Sequence, residues 1–230
     1  MPHLASCPRV FVAFLALLSI AGAAPQSETG TVAGKVVITA RVKGAPLAST
    51  AYPGRTVGDR QTSAASELKN VVVYIKDASY RGALPPKPAE LKQEHEMFVP
   101  HVVAITRGSK VGFPNADPFF HNVFSLSSVA TFNLGRYPTG QTKEQTFPKA
   151  GIVKVFCQIH SHMSATILVF DHPYFTIPSD NGAYELPPLP AGEYTIVGWH
   201  ERVGERTKTV RVERGKTADV ELRLPIEEAK

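Results

Sequence analysis

The chain has little of what a disulfide framework, a membrane bundle or a nucleic-acid-binding surface requires. It has only two cysteines in 230 residues. Beyond the first 23 residues no stretch is apolar enough to cross a bilayer, so we expect no membrane span in the rest of the chain. Lys and Arg number 25 against 20 Asp and Glu, and the basic residues are interleaved with acidic ones. This distribution does not indicate a nucleic-acid partner.

Residues 1–23 have the pattern of a secretory signal peptide. Arg9 precedes an uncharged, mostly apolar run at 10–20, and small residues follow it. The run is shorter than the roughly 20 residues of a transmembrane helix, which favours cleavage over an uncleaved anchor. Cys7 is removed with the signal, so Cys157 is the only thiol of a periplasmic or secreted protein. An unpaired cysteine in an oxidising compartment is expected to be buried or to bind a metal.

The remainder of the chain predicts an all-β protein. Nineteen prolines and seventeen glycines separate short runs of Val, Ile, Tyr and Phe, which is typical of many short strands joined by turns. No window after the N-terminus has a helical period, and residues 44–67 are expected to form a loop. The predicted strands lie at 31–42, 71–75, 97–105, 110–113, 121–126, 143–147, 151–157, 164–170, 183–186, 193–199, 207–213 and 217–224.

A soft set of metal ligands follows the predicted strand at 151–157. Cys157, His160 and Met163 place a thiolate, an imidazole and a thioether within seven residues. Soft ligands select copper among the available metals. One more ligand must come from elsewhere, and the best candidate is His121, which stands among aromatic residues at the start of a predicted strand. Two imidazoles, one thiolate and a weak axial thioether form the blue-copper arrangement.

These motifs resemble those of the cupredoxins. The His-Asn-Val of 121–123 and the Cys-x-x-His-x-x-Met of 157–163 are similar to plastocyanin-like proteins, and the loop spacing is similar to that of the amicyanins. The resemblance covers roughly residues 90–171 and implies a Greek-key β-sandwich with one copper ion held between loops at one end. Three further segments resemble methylamine-utilisation-type secreted proteins: 98–101, 113–117 and 132–135.

The resemblance also implies a role for each matching residue. Cys157 would supply the thiolate, His121 and His160 the equatorial imidazoles, and Met163 the long axial contact to a single copper ion. Asn122 resembles the residue that braces the cysteine-containing loop and donates a hydrogen bond near the sulfur. Such supporting contacts orient the ligands and tune the metal.

The loop departs from the amicyanin pattern in one place. Amicyanins have a proline and an aromatic residue between the second histidine and the methionine, whereas this chain has Ser161 and His162. We interpret His162 as an exposed loop residue; a docking or proton-coupled group and a competing ligand are the alternatives. The histidines that remain are expected to be structural or surface residues: His95, His101, His172 and His200.

Residues 176–226 resemble a second, smaller β-sandwich of the transthyretin-like, carboxypeptidase-regulatory type. They contain an Asp-x-Gly-x-Tyr-x-Leu pattern at 180–186 and a Pro-x-Gly-x-Tyr pattern at 190–194. The glycines suit tight turns, and the tyrosines suit strands. Segments at 30–36 and 68–74 look like the first strands of the same sandwich, and no metal-peptidase motif accompanies them.

This resemblance predicts a discontinuous domain. Residues 28–80 with 172–226 would form one sandwich, into which a cupredoxin domain at 86–171 is inserted. The strands near 31–38 and 69–75 should then pair with strands in 183–224. The alternative is two consecutive domains, 28–171 and 172–226.

The predicted function is that of a type 1 copper protein that carries single electrons between redox partner proteins. The alternative is a non-redox copper protein for storage, delivery or sensing. Such proteins more often use several exposed Met or His ligands, whereas the chain after the signal has only Met97 and Met163. A multicopper oxidase would need more histidines than the chain has once His121 and His160 are used. We therefore predict an electron carrier and not an enzyme.

Overall fold

The computed structural model describes residues 28–39 and 67–225. The predicted signal peptide and nearly all of the loop predicted at 44–67 lie outside this part.

The all-β prediction is confirmed, and no helix among the described residues is long and apolar enough to span a membrane. The strands are β1 (Thr29–Ile38), β2 (Val71–Ile75), β3 (Ala89–Glu90), β4 (Lys92–Glu94), β5 (Met97–Val99), β6 (Val102–Thr106), β7 (Lys110–Pro114), β8 (His121–Ser127), β9 (Ala130–Tyr137), β10 (Thr142–Thr146), β11 (Gly151–Phe156), β12 (Ser164–Phe170), β13 (Phe175–Thr176), β14 (Ala183–Glu185), β15 (Leu189–Pro190), β16 (Gly192–His200), β17 (Gly204–Val212) and β18 (Thr217–Leu224).

Two facing sheets enclose the first core. A five-stranded sheet has the order β6-β12-β11-β8-β9, and a three-stranded sheet has the order β10-β7-β3. Alternate side chains of each strand point inward, so that Val153 and Val155 of β11 share one apolar cluster with Val111 and Phe113 of β7. This sandwich holds the loop between β11 and β12, which carries most of the predicted metal ligands.

Two further sheets share a second core. In one of them β1 pairs with three strands, β14, β15 and β18. In the other the order is β13-β2-β16-β17. Val32 of β1 lies opposite Ala218 of β18, and Val73 of β2 lies opposite Gly198 of β16. The pairing expected between the N-terminal strands and strands in 183–224 is therefore observed.

A third apolar cluster joins the two pairs of sheets. Val102 of β6 and Leu168 of β12 lie on the outer face of the five-stranded sheet, and they pack with Val72 of β2 and with Val197 and Trp199 of β16. Trp199 is 6% exposed. Burial of so large an aromatic side chain contributes a substantial part of the packing energy at this boundary.

An ion-pair network crosses the same boundary. Glu201, which follows β16, accepts a hydrogen bond of 2.7 Å from Nε2 of His101 and also contacts Lys154 of β11. The hydrogen bond from His101 is the largest influence on Glu201, and together with Lys154 it lowers the pKa of Glu201 to about 2 against the opposing effect of burial. The network therefore favours the charged carboxylate.

Two of the remaining histidines are buried and have partners. Nε2 of His200 lies 3.0 Å from Oε2 of Glu67, a buried carboxylate that also contacts Arg202. Nδ1 of His172 accepts the backbone N–H of Tyr174 at 3.2 Å. These contacts agree with the structural role expected for both residues.

Glu201→Gln should destabilise the protein in a pH-dependent manner. The side chain of Glu201 is 33% exposed, and solvent screens part of its charge, so we expect a loss of about 1 kcal/mol at neutral pH. The pKa of Glu201 is depressed from 4.5 to about 2. The contribution of Glu201 to the free energy of unfolding is therefore complete above pH 4.5 and is lost as the pH falls towards 2.

The measurement is urea unfolding of the wild type and of Glu201→Gln between pH 2 and pH 7. Glu221→Gln is the matched control, because Glu221 forms an exposed pair with Arg223 within the second pair of sheets. The free energy of unfolding of Glu221→Gln should differ little from that of the wild type at any pH. If the difference in free energy of unfolding between the wild type and Glu201→Gln stayed constant down to pH 2, the stabilising role of the charged Glu201 carboxylate would be contradicted.

Candidate metal centre

The loop between β11 and β12 is closed by its own backbone. The N–H of Cys157 donates to the carbonyl of Met163 at 3.2 Å, and the N–H of Met163 donates to the carbonyl of His160 at 2.9 Å. Cys157 and Met163 are buried in the core of the first sandwich, 2% and 1% exposed, whereas His160 is half-buried. The loop thus directs two sulfur side chains inward and keeps one imidazole near the surface.

The second imidazole comes from the neighbouring strand. His121 begins β8, which pairs with β11 through Phe124 and Phe156, and its side chain is fully buried. Because β8 and β11 are adjacent, the start of β8 lies beside the loop that follows β11. This arrangement brings His121 next to Cys157 although 36 residues separate them along the chain.

Three ligand atoms converge at this place. Nδ1 of His121 lies 3.8 Å from Sγ of Cys157, and Nδ1 of His160 lies 3.9 Å from it. The two Nδ1 atoms are 3.1 Å apart. His121, Cys157 and His160 thus form a group whose ligand atoms all lie within 4.8 Å of one another. Both imidazole nitrogens thus lie within 4 Å of the Cys157 sulfur.

The distances fit one metal ion. Imidazole nitrogens bind metals such as zinc at about 2.0–2.1 Å, so two nitrogens held by one ion lie within about 4 Å of each other. The separation of 3.1 Å between the two Nδ1 atoms meets this condition. A thiolate with two imidazoles is a donor set that suits copper or zinc and does not suit calcium or magnesium.

The environment of Cys157 favours the thiolate. Burial raises the pKa of the thiol, but a hydrogen bond with His121 acts against it. The backbone N–H groups of Asn122, Ile159 and His160 lower the pKa as well, and the net shift is downward. Since the thiolate is the form that binds metals, the surrounding N–H groups prepare Cys157 for this role.

The side chain of Asn122 connects the loop to β9. Its Oδ1 accepts the N–H of Gln158 at 3.1 Å, and its Nδ2 donates to Oδ1 of Asn133 at 2.8 Å. Both polar atoms of its side chain therefore bond to the loop or to β9, and neither bonds to the sulfur. The hydrogen bond expected near the sulfur comes from the backbone N–H of Asn122.

Asp117 is a residue of the site to which the sequence analysis assigned no role. Its Oδ2 lies 2.8 Å from Nε2 of His121, and both side chains are buried. Burial raises the pKa of Asp117, but the N–H of Glu96 and the hydrogen bond from His121 outweigh it, and the pKa is lowered. Its sequence signals were its place at the end of segment 113–117 and a carboxylate four residues before a candidate ligand.

His162 lies outside the convergent group. Its Nε2 is 3.3 Å from Oε2 of Glu96, and its ring centroid is 6.1 Å from that of His160. The side chain is 32% exposed. These contacts favour the interpretation of His162 as a loop residue over that of a competing ligand.

Aromatic and aliphatic side chains cover the imidazoles. The Phe119 ring lies 5.2 Å from His121 and 5.4 Å from His160, measured between centroids. Phe119 and His160 also line an open depression of about 500 Å³ with Phe120, Ile159 and Arg136. Phe120 is 55% exposed. His160 therefore lies at a mostly apolar part of the surface.

These observations define the class of the chain: an all-β protein with a thiol and two imidazoles gathered at one end of a sandwich. No protein-family model matches the chain, and no curated protein is significantly similar to it.

Parts of the chain are similar to parts of solved structures. A Cu-containing nitrite reductase from Thermus scotoductus matches 41% of this chain and 25% of its own length at 26% identity, with a TM-score of 0.36. A purple cupredoxin from Nitrosopumilus maritimus matches 33% of this chain and 83% of its own at 25% identity, with a TM-score of 0.31. Amicyanin from Paracoccus versutus matches 43% of this chain and 97% of its own at 19% identity, with a TM-score of 0.34.

Replacement of each of the two loop histidines by alanine should have opposite effects on copper binding. His160→Ala removes one of three convergent ligand atoms and should abolish tight copper binding, whereas His162→Ala removes a contact to Glu96 and should leave one copper per chain. The measurement is copper content after dialysis against a chelator. Loss of copper from His162→Ala with retention in His160→Ala would mean that the loop uses the other histidine.

Proposed function

We propose that this chain is a periplasmic or secreted type 1 copper protein that carries one electron at a time between redox partners. One observation carries the proposal: two Nδ1 atoms and one thiol sulfur, from residues far apart in the sequence, lie together in a largely buried site. Copper is the metal that a thiolate, two imidazoles and a neighbouring thioether favour. In this proposal His121, Cys157 and His160 would hold the ion, and Met163 would supply a fourth, weaker ligand.

Rigidity of the ligand set supports electron transfer over metal storage. The backbone hydrogen bonds of Cys157 and Met163 close the loop, and Asn122 ties it to β9 through Asn133. A bound copper ion supplies the one-electron couple, and side chains that are fixed in place change little between its two oxidation states. Little reorganisation makes transfer fast. A site for delivery would instead need ligands that release the metal easily.

His160 gives the proposed site a route to a partner. It is the half-buried ligand of the group, and it lines the depression formed with Phe119, Phe120 and Ile159. His121, by comparison, is fully buried. We therefore assign His160 as the residue through which the electron enters and leaves.

The signal peptide at 1–23 and the inserted-domain arrangement belong to the same proposal. β1 and β2 precede the first sandwich in the sequence, whereas their partners β14, β16 and β18 follow it. This order supports a cupredoxin domain at 86–171 inserted into a transthyretin-like domain formed by 28–80 and 172–226.

The test is reversible electrochemistry of the copper-loaded protein. An electron carrier should show one reversible one-electron wave and should retain its copper over repeated cycles. Release of copper on reduction, with reversible behaviour absent, would favour the storage or delivery function. His121→Ala provides the control for copper bound elsewhere on the chain, since it removes one ligand and should remove the wave.

A further inference from the structure

The turn between β4 and β5 has an unusual backbone. His95 and Glu96 both have positive φ angles, 54° and 55°, although neither is glycine. They are the two central residues of the hairpin turn, since Glu94 pairs with Met97, and the two-residue turn that matches the twist of the strands has positive φ at both of these positions. Successive N–H groups in a turn of this kind can point at one anion and form a concave binding site for it.

The anion at this turn is the side chain of Asp117. The N–H of His95 donates to Oδ1 at 2.6 Å, and the N–H of Glu96 donates to Oδ2 at 2.9 Å. A third bond fixes the other end of the residue, because the backbone N–H of Asp117 donates to Oδ1 of Asn115 at 3.0 Å. The carboxylate is therefore held on both oxygens, and it is almost fully buried.

The same carboxylate determines which nitrogen of His121 carries the proton. Oδ2 of Asp117 is 2.8 Å from Nε2 of His121. An ionised carboxylate only accepts hydrogen bonds, so Nε2 must be the protonated nitrogen. In the neutral ring Nδ1 is then the nitrogen with the lone pair, and Nδ1 is the atom that faces Cys157 and His160.

We propose that Asp117 is a positioning residue of the metal centre, which fixes the Nε2–H tautomer of His121 and strengthens Nδ1 as a donor. The N–H groups of His95 and Glu96 in this hairpin turn hold the carboxylate in place. The inference rests on the proposed function, because it assigns a role at the same site. A carboxylate behind a metal-binding imidazole raises the basicity of the ligand. Its negative charge stabilises Cu(II) more than Cu(I), so Asp117 also lowers the reduction potential.

The first test uses the metal-free wild-type protein and needs no variant. Nitrogen NMR of ¹⁵N-labelled histidines distinguishes the two neutral tautomers of His121. The proposal requires the proton on Nε2 before any metal is added. A neutral ring with its proton on Nδ1 and none on Nε2 would overturn it, because Asp117 would then not fix the tautomer.

The second test compares Asp117→Asn with Glu94→Gln. Both remove one negative charge, but Glu94 is a half-exposed residue of β4 that pairs with Lys92. We expect Asp117→Asn to weaken Cu(II) binding by about 10- to 100-fold, measured by competition with a chelator. Cu(I) binding should weaken less, so the reduction potential should rise. Each tenfold difference between the two losses corresponds to about 59 mV for a one-electron couple.

The outcomes separate this inference from the proposed function. The inference would be wrong if Asp117→Asn and Glu94→Gln had the same affinity for Cu(II), the same affinity for Cu(I) and the same reduction potential. Asp117 would then serve only to hold the turn. Wild-type protein that binds no copper, yet has the Nε2–H tautomer, would refute the proposed function and leave the positioning of His121 by Asp117 in place.

Discussion

Cys157→Ser is expected to abolish the intense visible absorption of the copper-loaded protein. The absorption arises from charge transfer between a thiolate and Cu(II), and no other thiol lies outside the predicted signal peptide. A serine hydroxyl has nearly the same size as the thiol but is a hard, protonated donor that copper does not prefer. The measurement is the visible spectrum at equal protein and copper concentrations.

Ser161→Ala is the matched control for this variant, because it changes one atom of the same loop at a residue outside the convergent group. It should keep the absorption band. Circular dichroism of both variants establishes that the β-structure is retained. A band that survives in Cys157→Ser would mean that the colour does not come from a copper–thiolate bond.

Trp199→Ala should cost about 3–5 kcal/mol of the free energy of unfolding, as is usual when a buried tryptophan is truncated. Trp199 lies in the cluster that joins the two pairs of sheets, and it packs with Val102, Leu168 and Val197. Its removal leaves a cavity between two sheets, which cannot collapse easily because strands on both sides are held by hydrogen bonds. Chemical denaturation measures the loss.

Leu126→Ala provides the comparison. Leu126 lies on β8 and is 77% exposed, so its truncation should change the free energy of unfolding by no more than about 0.5 kcal/mol. A cost for Trp199→Ala as small as that of Leu126→Ala would contradict the tight packing between the two pairs of sheets.

The candidate metal site was predictable because most of it is local in sequence. Cys157, His160 and Met163 share one loop between two strands, and a hairpin loop keeps such residues together whatever the rest of the fold does. His121 was the harder assignment. It followed from a single histidine at the start of a strand among aromatic residues, and the pairing of β8 with β11 places it beside the loop.

The support of the site was not predictable from the sequence. Asp117 is held by the two-residue turn between β4 and β5, in which His95 and Glu96 adopt left-handed conformations, and the chain lacks the Asn-Gly or Asp-Gly signal that usually marks such a turn. The contact between that turn and Asp117 joins segments about twenty residues apart. Only the tertiary structure shows why a carboxylate precedes His121 by four residues.

Strand prediction failed where the usual signals were weak. β9 at Ala130–Tyr137 was missed because its exposed edge position allows polar residues and a glycine in place of an apolar run. The strand predicted at 97–105 is divided into β5 and β6, since Pro100 has no N–H to donate to a ladder.

The sequences of β6 and β12 also indicate that the outer face of the five-stranded sheet is covered. All five residues of β6, Val102–Thr106, are buried, and β12 is buried along most of its length. A strand that is apolar on both faces indicates that both sides of its sheet are covered. The second pair of sheets supplies this cover through the cluster that contains Trp199.

Titration of the metal-free protein with Cu(II), followed by visible absorption and electron paramagnetic resonance, tests the central claim most directly. The account predicts that an intense charge-transfer band grows to saturation at one copper per chain. It also predicts that one electron per copper bleaches the band and that reoxidation restores it. A titration that gives no such band, or copper bound only with the weak absorption of nitrogen and oxygen ligands, would contradict the assignment of Cys157, His121 and His160 as the ligands of a type 1 copper ion.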